Sequence, residues 1–177
     1  MKLFNFPTLI LLSVTLSTAI ISCRKDGANE ANNGTTNLKI RLTDNPFNAT
    51  EVNVEIQEVK VKLRHDSTGW LSLNTNAGVY NLLALQNGVD TLLAQGNIPT
   101  DTLKEVRFIL GTNNSIVIDS TSYPLTIPSG SESGLKIKLN KRLNAVLDSL
   151  IIDFDAALSI HQTGNGVYKL KPVLKIK

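Results

Sequence analysis

The stretch that decides the fold is Glu51-Val-Asn-Val-Glu-Ile-Gln-Glu-Val-Lys-Val-Lys-Leu63. Apolar residues occupy the even positions 52, 54 and 56, and then the odd positions 59, 61 and 63. A period of two is typical of a β-strand with one buried face. Because a strand changes the phase of its buried face only through an extra residue, the sequence predicts a β-bulge at Gln57-Glu58.

Short apolar runs with the same alternation continue on both sides of this strand, from Leu38 to the C-terminus. Turn residues separate them, and His65–Gly69 is predicted to form a hairpin turn. The segment Val79–Gln86 fits either a strand or a helical turn. About eight short strands with frequent turns predict an all-β fold, a single antiparallel, Greek-key-like β-sandwich. Further strands are expected in residues 70–73, 106–110, 115–119, 123–127, 135–139, 150–154 and 167–176.

The composition is that of one ordinary globular domain. With 42% hydrophobic and 19% charged residues in 177, the chain is not intrinsically disordered. A single Cys excludes a disulfide framework and a Cys-cluster zinc site. The 18 Lys and Arg nearly balance the 15 Asp and Glu, so we expect no nucleic-acid partner.

Residues 1–22 have the pattern of a secretory signal peptide, with one charge at Lys2 and an apolar run that ends at Ile21. The run covers about 14 residues, whereas a membrane-spanning helix needs roughly 20. Ile20-Ile-Ser-Cys23 resembles the bacterial lipobox. The resemblance implies that the signal is removed before Cys23 and that the Cys23 thiol is lipidated, which would anchor the protein in a membrane. The alternative is a free Cys at the end of an ordinary signal.

Residues 23–37 contain no large apolar side chain after Cys23 and are predicted to form a flexible tether. Lys25-Asp26 resembles the short Lys-plus-acid signals that send bacterial lipoproteins to the outer surface of the cell. The alternative for that pair is a solvated linker. Residues 38–177 form the predicted β-sandwich domain.

Asp153-Phe154-Asp155 is the one candidate chemical site. In a strand, both carboxylates would point to the same side and Phe154 to the other. Together with Asp44 or Asn45 they could bind calcium, or they could perform acid/base chemistry. The interpretation we favour is that they hydrogen-bond to backbone amides of a neighbouring loop or lie in solvent.

Other features point to binding rather than catalysis. No catalytic triad, nucleophile elbow or phosphate-binding loop occurs, so we expect no enzyme and no cofactor. Trp70 is a candidate for a sugar-binding face, although packing in the core or at an edge is the favoured interpretation. Lysines at 169, 171, 175 and 177 could contact an anionic surface, but protection of a sheet edge is favoured.

Several blocks of sequence, in order, resemble a bacterial and archaeal lipoprotein family, the domain of unknown function numbered 4382. The resemblance implies a single β-rich extracytoplasmic domain behind a lipobox and brings no activity, cofactor or catalytic residue with it. It covers nearly all of residues 38–176, and Asn140–Ser149 departs from the family pattern. The blocks are Leu42-Thr-Asp44, Val52-Asn-Val54, Tyr80-Asn-Leu-Leu83 with Asn87-Gly88, Arg107-Phe-Ile-Leu110, Pro128-Ser-Gly130, Ser133-Gly-Leu-Lys136, Asp153-Phe-Asp-Ala156 with Ser159-Ile160, and Tyr168-Lys-Leu-Lys-Pro172.

These features predict a lipid-anchored protein of the cell envelope, at the outer membrane on its periplasmic or exposed side. Its β-domain is expected to act as a binding or interaction module for a glycan or an envelope protein. The alternative is a structural component of an envelope assembly. A third hypothesis is a carboxylate-based enzyme or a calcium-binding domain.

Overall fold

A computed structural model describes residues 34–45, 47–128 and 135–177. The predicted signal peptide, Cys23 and the tether up to residue 33 lie outside the described residues. Where the structure is described, the helical elements are a 3₁₀ helix at Leu82–Leu85 and a short α-helix, α1, at Ala156–Ser159. The strands are β1 Thr35–Thr43, β2 Glu51–Leu63, β3 Leu71–Ser72, β4 Asn74–Thr75, β5 Gly78–Asn81, β6 Thr91–Pro99, β7 Thr102–Leu110, β8 Ser115–Ile118, β9 Thr121–Thr126, β10 Leu135–Arg142, β11 Val146–Phe154, β12 Ile160–Gly164, β13 Val167–Leu170 and β14 Leu174–Ile176.

The bulge predicted in the longest strand is confirmed. β2 pairs with β7, and the register shifts between Ile56 and Glu58, which leaves Gln57 as the extra, exposed residue. The apolar residues on both sides of the bulge therefore face the same interior. Burying one such Val, Leu or Ile side chain is worth about 1.5–3 kcal/mol, so a single inserted residue secures the burial of half the strand.

The strands form two sheets, and the all-β, sandwich-like prediction is confirmed. One sheet has the order β14-β11-β1-β6-β4, and the other the order β10-β7-β2-β8-β9-β13-β12, with β3 and β5 also paired to β2. The core between them contains apolar side chains that are inaccessible to solvent. Its largest members include Phe108, Phe154, Leu38, Ile40, Leu42 and Ile152.

The purely antiparallel prediction is wrong, because β1 pairs parallel with β11 and β9 pairs parallel with β13. Alternation of apolar residues carries no information on strand direction, and the partners are far apart in the chain. The count of about eight strands was also too low. β3, β4 and β5 are two to four residues long, too short to show a period.

Three boundaries differ from the prediction. β1 begins at Thr35, inside the predicted tether, because the buried Thr36 hydroxyl donates to the carbonyl of Asn144 at 2.7 Å. The segment Val79–Gln86 contains both of its alternatives, the end of β5 and then the 3₁₀ helix. The predicted C-terminal strand is split around Pro172 into β13 and β14, which belong to different sheets. In the part of the chain that the structure covers, no helix has the length and apolar character needed to span a membrane.

Candidate functional site

The three candidate carboxylates meet at the end of the five-stranded sheet. Asp153 lies opposite Thr43 in the parallel β1–β11 register, which brings Asp44 beside the end of β11. Asp44, Asp153 and Asp155 are 1%, 1% and 4% exposed. We call these three residues the carboxylate cluster. Burial at this level requires partners for the charges, since an ionised carboxylate without them is strongly destabilising.

Asp155 has its full set of partners. β11 ends at Phe154, so Asp155 is not a strand residue as predicted but the N-cap of α1, where its Oδ1 accepts from the amide of Leu158 at 3.0 Å. Its Oδ2 accepts from Nζ of Lys175 at 2.6 Å. Although burial acts in the opposite direction, these hydrogen bonds hold the pKa of Asp155 below its ordinary value.

Asp44 is only partly compensated. Its Oδ1 accepts from the amide of Ala156 at 2.9 Å, while its buried Oδ2 has no hydrogen-bond partner. Burial raises the pKa of Asp44 to about 6, an effect that the hydrogen bond from Ala156 offsets only in part and that the charge of Asp153 reinforces. Asp44 therefore carries a proton much more readily than an ordinary Asp.

Asp153 accepts through Oδ2 from the Asn45 side chain at 2.6 Å and lies 3.6 Å from Nζ of Lys177, while its Oδ1 is buried without a partner. Lys175 belongs to β14, the edge strand of the sheet, and Lys177 follows it directly, so this part of the predicted lysine row does lie at an edge. Over the described ranges, no group of three or more His, Cys, Asp and Glu side chains is arranged to hold a metal ion. Asp155 accepts from a backbone amide as the favoured interpretation expected, but from the helix that it caps, and Asp153 bonds to the Asn45 side chain instead. Calcium binding stays a prediction.

A second candidate site lies on the outer face of the larger sheet. Lys60, Arg107 and Lys136 are directly opposite one another on β2, β7 and β10. The Arg107 guanidinium stacks on the half-buried Trp70 ring, with Cζ 3.9 Å from the ring centroid, and Nζ of Lys136 lies 6.0 Å from that centroid. Like charges directly opposite each other in a sheet are destabilising, and here the Trp70 ring and Glu58 offset only part of that repulsion.

The next row of the same face has a smaller excess of positive charge. Lys62 and Lys138 flank Glu105 on β7, and Lys62 Nζ lies 3.9 Å from a carboxylate oxygen of Glu105. Glu58 pairs with Lys60 at 3.1 Å. We call the two rows, with Glu58 and Trp70, the basic face: it contains five cations and two carboxylates.

The sequence pattern indicates Trp70 but not the cations beside it. Lys60, Arg107 and Lys136 are far apart in the chain and belong to strands whose pairing the sequence does not specify. The signal that could have found them is local, because in each strand a basic residue takes the outward phase between apolar neighbours that are buried or half-buried.

The described residues form a mixed β-sandwich with buried carboxylates at one end of the smaller sheet and a row of cations on the outer face of the larger one. Residues 35–172 match the family model described as "Domain of unknown function (DUF4382)". The chain therefore belongs to this family, as its sequence blocks predicted. Neither the curated proteins nor the solved structures include a match to the chain.

Proposed function

We propose that the protein is a lipid-anchored component of the cell envelope, at the outer membrane, that binds an acidic glycan through its basic face. The lipobox-like Ile20-Ile-Ser-Cys23 supports the anchor. The domain that follows it belongs to a family without an assigned activity.

The observation that carries the binding function is the row formed by Lys60, Arg107 and Lys136 around Trp70. A row of like charges on adjacent strands is unfavourable in the free protein, and an anionic partner would relieve it. A polysaccharide suits an open sheet face because sugar carboxylates can contact the cations while the ring packs on an aromatic side chain.

Binding is tested with full-length protein in detergent micelles, using polygalacturonate as the acidic probe and dextran as the neutral one. We expect binding to polygalacturonate that weakens as the salt concentration rises. Arg107→Gln should weaken this binding at least fivefold, because a charge-assisted hydrogen bond contributes about 1.5–3 kcal/mol. Lys39→Gln is the matched control, since Lys39 lies on β1 in the other sheet. Equal binding to both polymers, or no difference between the two variants, would refute the proposal.

The anchor is tested separately, by metabolic labelling with a palmitate analogue. The wild-type protein should be labelled and the Cys23→Ala variant should not, because that thiol is the proposed acylation site. Labelling that persists in the variant would contradict the anchor and leave the glycan experiment unaffected.

A further inference from the structure

The chain enters the described domain at an end that is well defined by hydrogen bonds. The amide of Thr100 donates to the carbonyl of Gly34 at 2.8 Å, and the amide of Leu143 donates to the carbonyl of Asp101 at 3.0 Å. The start of β1 and the loops before β7 and β11 are therefore together. We call this the proximal end. The carboxylate cluster lies at the opposite end of β1.

The chain between Cys23 and Gly34 limits how far the proximal end can lie from the proposed anchor. Gly34 is the eleventh residue after Cys23, and a chain of this length spans at most about 40 Å even when fully extended. If Cys23 carries the proposed lipid, the membrane surface is within that distance of Gly34.

Two adjacent apolar side chains project from the proximal end. Val146 and Leu147 are 77% and 52% exposed, and Val146 lies opposite Thr36 at the start of β1. Single exposed apolar residues are ordinary on a protein surface. Two consecutive exposed apolar residues close to the point where the chain enters the domain are placed where an interfacial contact with the membrane would be made.

The backbone conformation at Val146 is an independent observation at the same place. Val146 has φ +74°, a conformation that is strained for a β-branched residue and that Gly or Asn adopts far more readily. Its side chain makes no contribution to the buried core. Val146 thus combines a strained backbone with a bulky apolar side chain that does not pack in the core of the domain.

Three cations lie at the same end of the domain. Arg64 and Lys104 both donate to Oδ1 of Asn140, at 2.8 and 2.9 Å, and the exposed Arg142 ends β10. None of these three cations forms an ion pair with a carboxylate of the described residues. Their charges are available to lipid phosphates.

The carboxylates near the proximal end are occupied by local bonds. Oδ1 of Asp101 lies 2.9 Å from Nδ1 of His65, and Asp148 accepts from Nζ of Lys141 at 2.8 Å. Asp66 accepts from the amide and hydroxyl of Thr68. Only Asp148 is paired with a cation, whereas Asp66 and Asp101 keep their charges, so Arg64, Lys104 and Arg142 outnumber these two carboxylates by one.

We propose that the proximal end docks on the bilayer that holds the anchor. Val146 and Leu147 enter the headgroup region, and Arg64, Lys104 and Arg142 contact lipid phosphates. This docking rests on the proposed lipid anchor. It fixes the orientation of the domain, with the carboxylate cluster directed away from the membrane.

The test uses full-length protein reconstituted in vesicles of phosphatidylethanolamine and phosphatidylglycerol that contain nitroxide-labelled lipid. Leu147→Cys is labelled with an environment-sensitive fluorophore, and Leu158→Cys is the matched control because Leu158 is 50% exposed at the opposite end. We expect nitroxide quenching at position 147 at least threefold stronger than at 158. Replacing Arg142 by Gln should weaken the docking about fivefold, the ratio expected for one cation at an anionic surface.

Each other outcome overturns the docking. Equal quenching at both positions would mean that the domain has no preferred face, and quenching at neither would place both away from lipid. A blue-shifted but unquenched label at 147 would assign the apolar pair to a protein contact. Failure of the anchor is recognised separately, because unmodified Cys23 would take a second fluorophore and the protein would not float with the vesicles. That result would refute the anchor and the docking together. Flotation without selective quenching would refute the docking alone.

Discussion

Replacing Asp44 by Asn should remove a pH dependence from the stability of the domain. The Asp44 carboxyl has a pKa of about 6 in the folded protein, against an ordinary value of 3.8, because it is buried with one oxygen unpartnered. A carboxyl whose pKa is raised by folding favours the folded state when protonated. Its contribution is complete below pH 3.8 and is lost as the pH rises through 6.

The size of the effect follows from the shift. Each pKa unit corresponds to 1.36 kcal/mol, so the whole contribution of Asp44 is about 3 kcal/mol. Between pH 5 and pH 8 the wild-type protein should lose about 1.4 kcal/mol of unfolding free energy through this group. Asp44→Asn has no proton to lose and should lack this loss.

The assay is urea unfolding of both proteins at pH 5, 6, 7 and 8, followed by the fluorescence of Trp70, the single Trp of the chain. Groups distant from Asp44 titrate equally in both proteins, so the difference between the two curves reports on this carboxyl and its interaction with Asp153. Identical pH dependence in the two proteins would show that Asp44 ionises in the folded protein at no cost in free energy. The Asp44 carboxyl would then not be buried without a partner as the structure has it.

Asp155→Asn is the control with the opposite sign. The pKa of Asp155 is lowered despite its burial because Lys175 and the Leu158 amide bond to it. Its stabilisation is therefore present at neutral pH and lost as the pH falls below its ordinary range. The variant should be less stable than wild type at pH 7 and approach it in acid.

Three further predictions concern the sheet surfaces and the bulge. Lys136→Glu should raise stability by about 0.2–1 kcal/mol, since it breaks the row of like charges, and abolish binding to polygalacturonate; a stability loss in urea unfolding would contradict the row's cost. Val146→Gly should raise the melting temperature, because it releases about 1–2 kcal/mol of backbone strain, while it weakens lipid quenching; calorimetry that shows a lower melting temperature would argue against strain. Deletion of Gln57 should leave a folded protein, because β2 then pairs regularly with β7. Deletion of Lys60 should abolish the cooperative unfolding transition, because it turns Val61 and Leu63 outward.

Local periodicity predicted those parts of the fold that are local. The bulge in β2 was recognisable because the phase change at Gln57 is contained within one strand. β6 was missed, since Leu92, Leu93 and Ala94 are consecutive apolar residues without alternation. The direction of β11 beside β1 was equally inaccessible, because alternation is the same in parallel and antiparallel pairs.

The site followed the same rule. Asp44 was named with Asp153 and Asp155 because turn residues follow the apolar run of β1, and the structure brings all three to one end. The hydrogen-bond partners of these carboxylates could not be predicted from the sequence. The unpartnered oxygen of Asp44 and the bond from Lys175 to Asp155 depend on loops and an edge strand that meet only in the folded domain. The basic face was missed for the same reason, since it is assembled from three strands.

The central position of β1 has a mechanical consequence. This first strand is flanked by β11 on one side and β6 on the other, with nearly its whole length paired on both. A pull on the chain before Gly34 acts along the strand and strains two hydrogen-bond ladders at once, whereas a strand at an edge would open one bond at a time. A domain suspended from its N-terminus in this way resists unravelling from the point of attachment.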